Sequence, residues 1–453
     1  MPVAIFGVSG LRGVVGQDLF AETVATVAAG FGNFLGAGPV ALGRDSRPSG
    51  ELLAAAARAG LSQAGRPVID LGMVPTPTLL YYVKNHRCAG GIVITASHNP
   101  AEWNGMKFVN GQGRFLTPGE AQKFQKMVAA VPVQRTAGQP HRGQPHRTDN
   151  QATAEHIRAI ITSDLFRSVR ARVAERRLRV GVDAVNGAAA QAAVELVREL
   201  GAEPVPLFCA PDKAGAGFPR GAEPTAENLS ELCRLVKEQG LAAGLAFDPD
   251  GDRFSCVDET GTPLGEEATV CLACRYVLGR RQGPVVVNLS TTRAVDDVCA
   301  EFGVKVARTP VGEAWVVARM QELGAVVGGE GNGGAIVPEV NWTRDGLVAA
   351  AIVLATITEK PLADVRRSLP RYQMVKRKVE LTRMEFERRA GQLVAAFPEA
   401  AVDRRDGIWL AGPDFWVHAR PSNTEPVVRI IAEAKGAAQA AAVARQAHEC
   451  LIT

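Results

Sequence analysis

No apolar run in this 453-residue chain is long enough to cross a bilayer, since the longest, Leu347 to Ile357, is only of buried-helix length. Charge excess is lacking too. Against 51 lysines and arginines stand 47 acidic residues, a net charge of +4, so neither nucleic acid nor a membrane surface is an expected partner. A small molecule is. The first residues carry no basic segment, and Arg12 interrupts the apolar stretch that follows, so no secretory signal is expected and the expected address is cytoplasmic. Paired cysteine is missing as well. The eight cysteines stand scattered, mostly inside apolar segments, where a reduced thiol packs as a small hydrophobe. Cys271 and Cys274 form the only CxxC, within an apolar helix-like run that has no second ligand pair, which argues against a metal or redox role.

A chain of this length exceeds one hydrophobic core, so three or four domains are expected. Strand, polar turn and alanine-rich helix recur after residues 40, 180 and 285, a rhythm that predicts mostly parallel sheets in tandem related units. Helices are expected near 20–36 and 50–64, with turns at Pro75-Thr76-Pro77-Thr78 and Asn104-Gly105-Met106-Lys107. Residues 131–150 read as a linker. There Gly-Gln-Pro-His-Arg occurs at 138–142 and again at 143–147, and without nearby carboxylates or cysteines its histidines read as solvated. Past 373 the composition shifts to Lys, Arg and Glu, with strands expected at 408–419 and 427–433, the pattern of an α+β domain. The boundaries that follow are 1–148, 149–260, 261–372 and 373–453.

Four polar clusters interrupt this alanine- and valine-rich chain. Thr95-Ala96-Ser97-His98-Asn99-Pro100 ends an apolar strand, which sets the Ser97 hydroxyl at a strand end among donors that can face a ligand and makes it the candidate nucleophile. Asp248, Asp250 and Asp252 alternate ahead of Arg253, so their carboxylates can converge on one hard cation such as Mg²⁺. An EF-hand fits poorly: Arg253 stands where that loop requires glycine, and a strand precedes it. Glu330 and Asn332 lie among glycines that let a sugar ring approach the backbone, while Arg420, Ser422, Asn423 and Thr424 suit a dianionic phosphate. Two further cations complete the set. Arg12, in a glycine-punctuated segment, offers bidentate phosphate geometry, and Lys107 could assist proton transfer or neutralise phosphate. Arg44 to Pro48, between a strand and a helix, stands where α/β folds place ligands.

Together these clusters, from Gly10-Leu11-Arg12-Gly13 to Arg420-Pro421-Ser422-Asn423-Thr424-Glu425-Pro426, resemble the α-D-phosphohexomutase superfamily, with all four signature loops in family order. The resemblance implies three related α/β domains and a smaller C-terminal α+β domain, heart-shaped around a central active-site cleft. It implies a phosphoserine at Ser97 that completes a Mg²⁺ shell with Asp248, Asp250 and Asp252. It also implies acid/base assistance by Arg12 and Lys107, contacts of His98, Asn99 and Arg253 to the transferred phosphate, sugar recognition by Glu330 and Asn332, and a phosphate clamp from Arg420 to Thr424. The implied reaction interconverts hexose 1- and 6-phosphates through a 1,6-bisphosphate, which also serves as activator, in a monomer or homodimer. In the sugar loop many relatives have Ser and a later His where this chain has Asn332 and Gly334, and the Gly-Glu-x-Asn-Gly-Gly form, followed by Pro338 and by Arg344-Asp345-Gly346, looks most like an archaeal-type branch often assigned to glucosamine phosphate. Glucose or mannose phosphate is the alternative substrate. A metal-dependent sugar-phosphate phosphatase, which would also use Ser97 and three aspartates, is the alternative from another class, and a non-catalytic sugar-phosphate-binding protein is a third reading.

Overall fold

The computed structural model describes residues 5–7, 10–130, 146–422 and 426–452. Most of the expected linker (131–145), together with Asn423 and Thr424, lies outside the described residues. One topology is built three times. In each unit a central strand pairs in parallel with two others, and the third strand pairs with an antiparallel fourth. The first unit uses Val40–Arg44, Val68–Met73, Gly90–Ile94 and Trp103–Asn110. The second uses Arg179–Asp183, Glu203–Leu207, Ala243–Phe247 and Phe254–Asp258. The third uses Val285–Asn288, Val306–Thr309, Val327–Glu330 and Gly334–Ile336.

Parallel neighbours need a crossover, and helices such as Gly50–Gln63, Ala189–Glu199 and Ala294–Ala300 supply it. An antiparallel neighbour needs only a short loop. That loop must open at the carboxyl end of the third strand, so the Ser97, aspartate and Glu330 clusters all emerge at equivalent edges of their sheets. Gly10–Val14 adds to the first sheet beside Trp103–Asn110, which brings Arg12 to the same edge.

The C-terminal unit differs in kind. Its five strands are all antiparallel, in the order Gln373–Glu380, Val427–Ala434, Phe415–Pro421, Ile408–Ala411 and Ala401–Asp403, and its helices Arg383–Ala395 and Ala437–Ile452 share a core with them. Gly346–Ile357 is buried along its whole length except at Thr356, as an all-apolar helix must be. It lies within a single core that runs from Ile157 to Leu369 through the second and third units. Asp345 caps its start by accepting from the Leu347 and Val348 N–H groups at 3.0 and 3.2 Å.

Three local expectations are corrected. Pro75-Thr76-Pro77-Thr78 opens the helix Thr76–Asn85, because proline in a first turn lacks only an N–H that would have no partner there. Asn104 to Lys107 is strand, paired on both sides. Gly105 serves close packing there, since a Cβ would sit 2.1 Å from the Leu11 carbonyl oxygen. The 408–419 run is two strands of one hairpin, broken at Gly412-Pro413-Asp414, where the Gly412 N–H donates to the Phe415 carbonyl at 3.0 Å.

Candidate active site

Ser97 has φ of 53°, a left-handed conformation that a serine adopts only under constraint. Arg47 supplies much of that constraint. Its guanidinium donates to the carbonyl oxygens of Ser97 at 2.6 Å, Asn99 at 2.7 Å and Trp103 at 2.8 Å, and to that of Pro100. Asp45 neutralises it at 3.0 Å and accepts from the Thr95 hydroxyl at 2.6 Å, while Thr95 in turn accepts from the Ser97 N–H at 2.9 Å. Within the Arg44 to Pro48 stretch, Arg47 therefore builds the serine loop. The same device recurs after each central strand. Asp45, Asp183 and Asn288 each accept from the backbone N–H two residues on, at 3.0, 2.9 and 2.8 Å, which turns the chain sharply at the sheet edge.

The Ser97 hydroxyl donates to Asp248 Oδ2 at 3.3 Å, across 151 residues of sequence. Asp248, Asp250 and Asp252 are all buried, and each offers one oxygen within 4.8 Å of the others'. Lys107 Nζ lies 2.6 Å from Asp250 Oδ2 and 2.9 Å from Asp252 Oδ2, with Thr76 at 2.6 Å from the former and Arg344 at 2.7 Å from the latter. Asp250 Oδ1 and Asp252 Oδ1 have no hydrogen-bond partner among the described residues. Buried carboxylate oxygens left this way are costly unless a cation meets them, and an all-oxygen set of this kind fits a hard divalent ion. The starts of three helical segments hold the loop's backbone: the N–H groups of Thr76, Ala188 and Gly346 donate to the carbonyls of Asp250, Pro249 and Gly251 at 2.8, 2.7 and 3.1 Å. Burial and the two neighbouring carboxylates push the Asp248 carboxyl well above the usual range. Burial acts the same way on Asp252, but Arg344, Lys107 and Arg253 outweigh it and hold that group below the usual range. Burial would lower Lys107, and its two aspartate partners reverse this and raise it.

Arg12 donates to Asn99 Oδ1 at 3.2 Å and is half-buried, and burial lowers its pKa despite the attraction of Asp250. The cation of Arg253, then burial, then Arg12 depress His98 far below an ordinary histidine, so its imidazole is neutral. Arg253 pairs with Glu223. At the serine loop, where His98 lines it, opens a cavity of about 530 Å³ whose wall takes residues from all four units, among them Arg253, Asn332, Lys376, Arg420 and Arg429. Ser97 itself is buried and does not line the cavity.

Glu330 does not face this cavity. It accepts from Asn288 Nδ2 at 2.8 Å and the Gly312 N–H at 2.9 Å through one oxygen, and from Arg344 at 3.1 Å through the other. Only Asn332 of the expected pair stands in the wall. Arg344, which also bonds Glu313 at 2.9 Å, ties the sugar loop to the metal loop, and burial raises Glu313 to about 7. Glu313 did not stand out in the sequence, and Arg344 did so only within Arg344-Asp345-Gly346, as part of the resemblance and without this linking role. Arg420 Nε donates to Asp406 Oδ1 at 2.9 Å, and the Ser422 N–H donates to the Val427 carbonyl at 2.8 Å.

Comparison with known proteins matches the chain to the phosphoglucomutase/phosphomannomutase alpha/beta/alpha domains I, II and III at residues 3–133, 154–261 and 266–372, and to the family's C-terminal domain at 375–449. A probable phosphoglucosamine mutase of Methanopyrus kandleri is 35% identical over 439 residues, covering 95% of this chain and 94% of the relative. A phosphoglucomutase/phosphomannomutase of Thermococcus kodakarensis is 33% identical over 95% of this chain and 94% of its own. The crystal structure of a phosphoglucomutase/phosphomannomutase family protein from Burkholderia thailandensis superposes with a TM-score of 0.83 at 27% identity, covering 99% of this chain and 96% of that one. With the domains in family order and relatives aligned over nearly the full length, the chain belongs to the phosphoglucomutase/phosphomannomutase family, within the α-D-phosphohexomutase superfamily.

Proposed function

We propose that the chain interconverts the 1- and 6-phosphates of a hexose, with glucosamine phosphate as the preferred substrate, and that Ser97 carries the phosphoryl group. The observation that carries this reading is the Ser97 hydroxyl on Asp248, beside unpartnered carboxylate oxygens and next in sequence to His98 and Arg253 of a cavity wall rich in cations. The probable phosphoglucosamine mutases among the relatives support the amino sugar.

Phosphoryl transfer demands alignment and charge neutralisation more than covalent chemistry from the protein. The seryl phosphate passes its phosphoryl group to the free hydroxyl of the bound monophosphate: the Ser97 O–P bond breaks, a new O–P bond forms, and the sugar becomes a 1,6-bisphosphate. That bisphosphate turns end for end. Ser97 then takes back the other phosphoryl group. Asp248, Asp250 and Asp252, with the seryl phosphate, would hold Mg²⁺, which when bound neutralises charge on the transferring group. Lys107, fixed between Asp250 and Asp252, and Arg12, its pKa lowered, assist proton movement at the attacking and leaving oxygens. His98 presents a neutral imidazole, and Asn99 and Arg253 bound the space for the transferred group. Asn332 meets the sugar hydroxyls, and Glu330 acts by holding Arg344 and the Gly312 turn. Arg420, with Ser422, Asn423 and Thr424, clamps whichever phosphate is distal. Hexose 1,6-bisphosphate primes the serine, and the C-terminal unit excludes water during the turn.

The test is turnover of glucosamine, glucose and mannose 6-phosphates, with and without the matching bisphosphate, alongside intact mass. Wild type gains one phosphoryl group and is activated by bisphosphate, while Ser97→Ala gains none and loses at least ~10³-fold in kcat. Net release of phosphate without bisphosphate dependence would replace this reading with the phosphatase.

A further inference from the structure

Asp406 lies in the turn between Ala401–Asp403 and Ile408–Ala411, outside every signature loop. A turn aspartate ordinarily bonds its own backbone two residues on, and in this turn Asp403 does that by accepting from the Arg405 N–H at 2.9 Å. Asp406 reaches outward. One oxygen accepts from Arg420 Nε at 2.9 Å and the other from the Val311 N–H at 2.9 Å, which comes from the third unit, 95 residues away. The next N–H along, that of Gly312, donates to Glu330 Oε1 at 2.9 Å. Gly312 has φ of 127°, a conformation only glycine adopts freely, and it lets adjacent amides serve the two carboxylates. The backbone of Asp406 is pinned as well: His418 Nε2 lies 2.6 Å from its carbonyl oxygen, and His418 Nδ1 lies 2.9 Å from the Ser290 hydroxyl of the third unit. Burial keeps His418 neutral, which matches a tautomer that donates from Nε2 and accepts at Nδ1.

We propose that Asp406 is a positioning residue that aims the Arg420 guanidinium into the cavity and registers the C-terminal unit against the Glu330 loop. This rests on the mutase reading above. Occupying the Nε edge of Arg420 turns its Nη edge toward the distal phosphate, and the Val311–Gly312 turn sets how far that phosphate stands from the sugar-binding loop. Both ends of the substrate are thereby gauged by one carboxylate, which matters in a reaction where the bound sugar reverses end for end and must be held equally well in two orientations.

The experiment is steady-state kinetics of the full-length protein with glucosamine 6-phosphate and bisphosphate, for wild type, Asp406→Ala, Asp406→Asn, Arg420→Ala and the double variant Asp406→Ala/Arg420→Ala. Asp406→Ala is expected to raise KM about 10- to 50-fold with kcat within about 3-fold of wild type, the loss of a charge-assisted contact. Asp406→Asn, which keeps an acceptor for Val311 but no charge for Arg420, should fall between. Added to Arg420→Ala, Asp406→Ala should cost less than about 2-fold more, because the two act as one unit. Multiplying effects, a loss confined to kcat, or an unchanged KM would each overturn the proposal. Asp406→Asn carries the test if Asp406→Ala does not fold. Calorimetric binding of glucosamine 6-phosphate reads the same coupling without turnover, so a wild type that binds but does not isomerise would sink the mutase reading and leave Asp406 still decided by affinity.

Discussion

The loop Asp248 to Arg253 and the loop Glu330 to Gly333 occupy the same place in two copies of one topology, between a third parallel strand and its antiparallel neighbour. Their carboxylates are treated oppositely. In the first loop two buried oxygens lack partners and Asp248 is pushed toward its protonated form, whereas in the second both oxygens of Glu330 are engaged by three donors. Equivalent scaffolds thus hold one site with unused coordinating capacity and one with none. A cation fits the first, and in the second the Glu330 carboxylate is a structural node beside Asn332 of the cavity wall.

The strongest way to break this comparison is to remove a charge from each loop and ask whether stability moves in opposite directions. Asp248→Asn should lower turnover by at least ~10³-fold, yet raise stability in metal-free buffer by about 1 kcal/mol at neutral pH. A carboxyl whose folded pKa is raised contributes stability at low pH that is lost as pH rises, and asparagine removes that loss. Mg²⁺ should then raise the Tm of wild type and leave the variant unmoved. A lower metal-free Tm for the variant would mean that the aspartate trio is already satisfied.

Glu330→Gln should do the reverse. Arg344 loses one of its charged partners in a buried setting, so denaturant titration should show a loss of about 2–4 kcal/mol, with turnover down roughly 10-fold through the displaced Gly312 turn. A stable variant that binds sugar phosphate poorly would instead make Glu330 a direct ligand.

A third measurement sharpens the edge of the sugar loop. Glu267 accepts from the Thr292 N–H at 3.0 Å beside Gly331, and burial raises it to about 8. Its stabilising contribution is complete below the ordinary carboxylate pKa and is lost as pH rises to about 8, by at most ~1.4 kcal/mol per pH unit. Wild type should therefore lose Tm relative to Glu267→Gln between pH 5 and 9. Parallel curves would show that the carboxyl is already ionised at low pH.

Much of the scaffold was legible because its signals are local. Val40–Arg44, Arg179–Asp183 and Val285–Asn288 begin within a residue of the recurrence at 40, 180 and 285, and the helix Gly346–Ile357 begins one residue before the apolar run Leu347 to Ile357. The turn expected at Asn104-Gly105 failed because a dipeptide signal cannot report that strands flank it on both sides. The site residues in the signature clusters were legible as chemistry, by type and spacing. Glu313 and Asp406 were not, nor were the partners of Arg47 and Arg344, because each acts on segments up to 95 positions away.

By itself, the amino-acid order determined where chain segments become helix or strand, that one topology repeats, and which short stretches carry ionisable groups dense enough for chemistry on a phosphate. Only the tertiary structure decided which of those groups remain available. It set Arg47 to building the serine loop, turned Glu330 inward and left oxygens of Asp250 and Asp252 without partners. Periodicity and turn preference act over a few residues, whereas the partner of a buried charge is chosen by whichever distant segment folds against it.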